Sequence, residues 1–401
     1  MPRSRIRGGD YTRDGRGRVR GAPAILHYGF RPFFLLGALH AAVLIPLWLA
    51  MLILGLQPAG PFHAVQWHAH EMVFGYLSAI VAGFVLTAVP NWTGRLPLSG
   101  APLAGLVALW LAGRLATGFL PQPVAAAAID LSFLLVLAAS VWREIVTGRN
   151  WRNAPVAMML ALLGLANLLH HLEAAGFGEP GLAIRLALGA LAVLMALIGG
   201  RIVPSFTRNW LVRREGEALP ASFGRVDKVA LVFTVLAATA WLIRPDDGMT
   251  AALLIVAGVL LFLRLSRWRP FATFREPIVA VLHLSYGWLA LSLVLMGVAA
   301  AWPAVLAPSS ALHALTAGAA GTMTLAVMTR ASLGHTGREI VADRWTVAIY
   351  ACVTAGALLR LAAAFAPAFH LSLLAAGGLV WSLAFLIFAI RYGPILTRPR
   401  L

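Results

Sequence analysis

Twelve apolar runs, each long enough to cross a bilayer, follow one another almost from end to end of the chain and leave little room for anything else. They lie near residues 33–56, 67–90, 102–120, 124–146, 154–175, 181–203, 226–243, 249–266, 278–302, 309–333, 345–366 and 369–391. A backbone in hydrocarbon has no water to bond, so a spanning segment must satisfy its own amides, and about 20 helical residues suffice. Only 12% of residues are charged, about half the share typical of a soluble domain. The expectation is therefore an all-α polytopic membrane protein of 12 transmembrane helices. Residues 31–401 would form one membrane domain, and 1–30 a disordered, basic cytoplasmic tail without the apolar core of a cleavable signal. The net charge of +17 has a topological meaning in such a chain, and a nucleic-acid partner is excluded.

That charge alternates from loop to loop. Of the 32 Lys and Arg, all but Arg114, Arg185, Arg244 and Arg360 fall in the tail and in every second loop. The positive-inside rule then places both termini in the cytoplasm. The four exceptions sit toward the outer side, where a cation needs a reason. The single cysteine, Cys352, lies in an apolar run and reads as a packed thiol; one cysteine builds no disulfide framework.

The second and tenth spans match by offset. His70 is followed by Gly75 and by Thr93-Gly94-Arg95; His313 is followed at the same distances by Gly318 and by Thr336-Gly337-Arg338. The sixth span fits this frame from Ile184, with Gly189, Pro204 and Thr207 in register, and its Pro204 matches Pro90. The third and eleventh spans each carry a late arginine, Arg114 and Arg360. The chain thus reads as three four-helix units, about 31–150, 151–268 and 277–392, related by a pseudo-threefold repeat.

Ionisable groups gather at the outer level. The second span opens His68-Ala69-His70-Glu71-Met72, the fifth ends in His170-His171, and the tenth begins at His313. Such groups at bilayer depth cost roughly 2.5–3.5 kcal/mol each or more, so they ask for a bound partner. Imidazole, carboxylate and thioether are all metal ligands, which makes His68, His70, Met72, His170, His171 and His313 the candidate metal residues. A regular helix puts His68 and Met72 on one face and His70 on the opposite one, so the two histidines cannot share one ion. Glu173, three residues after His170, is placed to orient it. The small residues after His313 favour close helix packing, and the same flat surface admits a planar macrocycle. Arg114, Arg244, Arg360 and Arg185 are the cations that would meet haem propionates. Glu71 and Asp130 are candidate proton carriers, with hydrogen-bonded helix-end carboxylates as the plainer reading.

These motifs resemble the NnrS family of bacterial haem- and copper-containing membrane proteins linked to denitrification and nitric oxide stress. The likeness runs through Phe30-Arg31-Pro32-Phe33-Phe34, His68 to Gly75, Asn167-Leu-Leu-His170-His171, Gly199 to Asn209, and His313 to Arg338. It implies haem and copper as cofactors and a role in handling nitric oxide. More distantly, the chain resembles the 12-helix catalytic subunit of haem-copper oxidases and nitric oxide reductases. There the second helix begins His-Ala-x-x-Met-[Ile/Val]-Phe, with that histidine on low-spin haem; His68-Ala69-His70-Glu71-Met72-Val73-Phe74 is similar. The departures are that the sixth and seventh spans here lack histidine and that the tenth carries only His313.

Three functions compete at this point. The first is a haem/copper redox protein, nitric oxide reductase-like if it turns over. That chemistry needs an external quinol or cytochrome as electron donor. The second is a 12-helix transporter for copper or another small solute, although a threefold repeat differs from the twofold repeat of common carriers. The third is a haem-based nitric oxide sensor or assembly factor.

Overall fold

A computed structural model describes residues 21–214 and 218–401; residues 1–20 of the expected tail lie outside them. Twelve helices are long and apolar enough to cross a membrane. They are α1 Phe30–Leu54, α2 Ala64–Thr93, α3 Ala101–Phe119, α4 Pro123–Thr147, α5 Trp151–Ala174 and α6 Leu182–Val212. The second half gives α7 Arg225–Ile243, α8 Gly248–Ser266, α9 Pro277–Ala301, α10 Pro308–His335, α11 Arg344–Ala362 and α12 Pro367–Thr397. No strand occurs among the described residues. The chain is a multi-pass membrane protein, as its hydropathy predicts.

The pairs α8–α9 and α11–α12 pack through small residues, because lipid supplies no hydrophobic drive between helices and close backbone contact must do the work. A β-carbon on Gly258 of α8 would sit 2.6 Å from the carbonyl of Ala290, and one on Gly297 of α9 would sit 2.6 Å from that of Ala251. Gly356 and Gly377 join α11 to α12 in the same way.

The most enclosed helix is α2, 78% buried, followed by α6, α9 and α10. So α2, α6 and α10, which the expected repeat would place in equivalent positions, all run through the interior, as does α9. Two of them share a rarer feature. Directly after His70, Glu71–Leu77 is wound as a π-helix, and directly after His313, Ala314–Ala320 is wound the same way. A π-turn inserts an extra residue per turn and re-aims the side chains around it, which is why such segments concentrate at functional sites.

Candidate functional site

The first π-segment positions a buried polar cluster. His70 lies between two carboxylates: its Nδ1 is 3.1 Å from Glu71 Oε1, and its Nε2 is 3.0 Å from both Asp130 Oδ2 and Asn167 Oδ1. The Asn167 amide donates through Nδ2 to Asp130 Oδ2 at 2.8 Å, so its oxygen is the atom turned to His70. Both His70 nitrogens therefore face acceptors, and the ring serves as a double donor. Arg114 of α3 donates to Glu71 Oε1 at 2.6 Å and pairs with Asp130 Oδ1. Thr117 adds a hydroxyl to Glu71 at 2.8 Å, and His171 Nε2 reaches Asp130 Oδ2 at 3.1 Å.

Two carboxylates against one guanidinium and one imidazolium make the cluster neutral, the condition for burying charges at this depth. His40 of α1 comes within 3.1 Å of Glu71 Oε2, so the cluster extends toward mid-helix. Gly75 makes the room. A β-carbon there would meet His40, Arg114 and Glu71 at 2.8 to 3.0 Å.

Phe62, in the loop before α2, covers three imidazoles, with ring centroids 4.7, 5.1 and 4.9 Å from His70, His170 and His171. His170 Nε2 donates to the carbonyl of Gln66 at 3.2 Å, while its Nδ1 is buried without a partner. Nitrogen and oxygen atoms of His70, Asp130 and His171 all lie within 4.8 Å of one another, a donor set able to hold a metal ion.

His68 and Met72 face elsewhere. Together with His313 and Arg360 they line a mostly apolar cavity of about 250 Å³ between α1, α2, α6, α10, α11 and α12. Leu49, Leu188 and Trp381 are among its walls. The His68 ring stacks on Trp48, centroids 4.6 Å apart and 21° between planes, and its Nδ1 is buried with no hydrogen-bond partner. His313 Nδ1 lies 2.6 Å from the carbonyl of Ser309 and donates to it, which leaves Nε2 as the lone-pair nitrogen. Arg360 is 3.3 Å from that ring and 3.5 Å from Ser310 Oγ. It has no carboxylate partner among the described residues. The histidines of one turn thus serve two environments, as ideal helical rotation predicts.

Several expectations need correction. Arg244 is exposed at the end of α7, where its carbonyl accepts from the Thr250 hydroxyl, and it joins neither site. Arg185 stays with its own helix start, 3.4 Å from the Pro180 carbonyl. Glu173 does not orient His170. It accepts from the backbone amides of Gly181 and Ala183 at 3.0 and 2.6 Å, satisfying the start of α6. Arg114, offered as a propionate partner, is already committed to two carboxylates. Sequence reasoning gave no role to Asn167, Phe62, Trp48, His40 or Thr117. Asn167 alone carried a signal, one turn before His170-His171.

A family model described as "NnrS protein" matches residues 24–400. The chain belongs to the NnrS family. It is thereby a nitric-oxide-related membrane protein, from a family associated with metal or haem binding. No protein of curated function matches it. For an NnrS-family chain, the two sites provide two chemically distinct settings. One is polar and neutral, with a three-residue donor set. The other is apolar, with two imidazoles and an unmatched guanidinium.

Proposed function

We propose that the chain is a haem- and copper-carrying protein of the bacterial inner membrane that binds and handles nitric oxide near the periplasmic side. The observation that carries this reading is the apolar cavity, where His68 of α2 and His313 of α10 meet beside Arg360. Its donor set fits haem. His68 has an orphaned buried nitrogen, His313 has a lone pair at Nε2, and Arg360 offers a guanidinium that a propionate would neutralise. When bound, the haem supplies an iron that takes up nitric oxide or passes electrons. The residues' own task is to hold those nitrogens in place: Ser309 fixes the His313 tautomer, Trp48 fixes the plane of His68, and the apolar walls exclude water.

Copper fits the polar cluster, since imidazole nitrogens with a carboxylate suit that metal. His70, His171 and Asp130 would hold it, with His170 beside them. The Nε2 protons now directed at Asp130 would leave on loading. Reduction of nitric oxide would draw electrons from an external quinol or cytochrome.

A carboxylate-driven carrier is disfavoured because the acidic residues in the helices are engaged. Glu71 and Asp130 hold Arg114, Glu144 pairs with Arg95, Asp227 pairs with Arg264, and Glu173 binds backbone amides. The test is the visible spectrum and copper content of protein purified from haem- and copper-replete cells. A Soret band that shifts with nitric oxide after reduction is expected, together with copper that is lost in His171→Ala. Protein without any Soret band sinks the proposal. Nitrosyl formation without turnover on an added reductant assigns the chain to sensing.

A further inference from the structure

At the Arg-rich end, remote from both histidine sites, a cavity of about 570 Å³ is lined by Arg152, by Arg201 and Arg208 of α6, and by Arg264 of α8. Arg264 is buried and fully matched. Its Nε donates to Asp227 at 2.8 Å, and its Nη1 donates to the Ala196 carbonyl at 2.7 Å and to the Tyr286 hydroxyl at 2.9 Å. Arg267 shares the same Asp227 at 3.2 Å, so that carboxylate has no charge left to give. Arg201 has only the neutral Asn153 amide oxygen, at 3.0 Å. Arg152 and Arg208 have no hydrogen-bond or carboxylate partner among the described residues, which leave out Glu215 and Glu217 of the neighbouring loop.

Among the described residues, three guanidinium groups without a carboxylate partner therefore face one space, and none of its described lining residues is acidic. All three are exposed, so water screens their mutual repulsion, and an anion seated among them would replace that screening with direct pairing. The remaining walls are of a different character. Leu197, Pro204 and Leu231 are apolar, and Phe223 is exposed. Ser205 and Ser222 add hydroxyl donors. A free anion would satisfy the cations and leave those walls uncovered, whereas an amphiphile with an anionic head satisfies both.

We infer that this cavity binds a phosphate group, carried there by an anionic glycerophospholipid. The guanidinium fork matches phosphate oxygens in pairs, and the serine hydroxyls complete the acceptor set. Basic pockets between helices at the cytoplasmic side hold lipid headgroups by this chemistry. The inference is independent of haem, copper and nitric oxide, so it survives or falls separately from the proposed function.

The experiment compares retention of phosphatidylglycerol and phosphatidylcholine by the full-length protein, using native mass spectrometry from mixed micelles. Wild type should retain the anionic lipid preferentially. Arg152→Gln with Arg208→Gln should lower that preference by about fivefold per arginine removed. Should the double variant fail to fold, Arg208→Lys keeps the charge and loses only the fork, and it should lower retention by less. Equal retention of the two lipids by wild type, or no response to either variant, overturns the lipid assignment. Inorganic phosphate that binds wild type with the same arginine dependence, in the absence of selective lipid retention, keeps the phosphate site and replaces its source.

Discussion

Around Arg114 two buried carboxylates complete the charge balance; around Arg360 a similar helical frame carries none. In both places a histidine immediately precedes a π-segment, a glycine follows five residues later, and an arginine late in the next helix reaches back to the turn. At the first site, the position after the histidine is Glu71, and α4 contributes Asp130. At the second, that position is Ala314, and α12 contributes Leu374, Gly377 and Gly378. One frame is closed by its own side chains, while the other is left open toward a cavity. An arginine at bilayer depth needs an anion, so its meaning depends on whether the protein already supplies one. The shared frame supports the internal repeat, which we carry forward as a proposal.

The sharpest way to break this comparison is to remove each arginine in turn. Arg114→Gln leaves Glu71 and Asp130 to share the single His70 imidazolium, with one buried negative charge in excess, which should cost about 3–5 kcal/mol. Arg360→Gln strands no carboxylate and should leave thermal unfolding in detergent nearly unchanged while lowering haem retention. If Arg114→Gln melts with wild type, or if both variants lose haem and stability alike, the two sites do not differ as argued.

The two histidines of the α2 turn give the next largest contrast. His70→Ala removes a donor from both carboxylates and should cost about 1–3 kcal/mol for each group left unsatisfied, together with any bound copper. His68→Ala should instead abolish the Soret band with little loss of stability. Identical loss of one cofactor in both variants, measured by absorbance and metal analysis, would merge the sites.

The glycines that open the two frames differ more subtly. A β-carbon at Gly318 would lie 2.6 Å from the Trp288 indole, a rigid ring, whereas one at Gly75 meets the tips of His40, Arg114 and Glu71. Overpacking typically costs about 1–3 kcal/mol. Gly318→Ala should fall at the top of that range, and Gly75→Ala should be milder in stability while shifting copper content. Denaturant titration of the two variants side by side reads the order directly, and the reverse order would refute it.

Depth along the membrane was legible in the sequence, and direction around the helix was legible only in part. Hydropathy places all twelve helices, because the bilayer penalises every misplaced polar group, but α6 and α12 run nine and six residues past their expected ends, to Val212 and Thr397. Ideal rotation separates His68 from His70 correctly, since both precede the π-segment. The π-winding itself has no residue signature: Glu71–Leu77 and Ala314–Ala320 share little beyond the glycine at their fifth position. Asn167 gains its role only when α4 brings Asp130 to it, and Phe62 only when its loop folds over three imidazoles. Arg244 had the right depth and the wrong direction, because the end of α7 leaves it exposed.

A carboxylate outside the helices supplies the contrast with least at stake. Asp343 caps α11, accepting from the Thr346 amide and hydroxyl at 2.8 Å each and pairing with Arg391 at 2.7 Å. Partial burial pushes its carboxyl up, but the Thr346 amide and hydroxyl and Arg391 outweigh that effect and hold it below the usual carboxylate value. A group depressed in the folded state adds stability above its unfolded pKa, near 4, and loses it as pH falls through the folded value. The contribution of Asp343 should therefore be constant from neutral pH down to about 5 and fade below about 4. Its side chain is 37% exposed, so solvent and salt screen the Arg391 pair and the capping bonds carry most of the effect. Asp343→Ala should cost about 1 kcal/mol, the usual worth of an N-cap, and should leave the spectrum and metal content untouched. Unfolding of this variant and wild type at neutral pH and at about pH 3 checks the sign, because the difference should shrink in acid. A difference that grows in acid would mean that Asp343 is protonated in its capped state, and that would remove the contrast with the buried pair at Arg114.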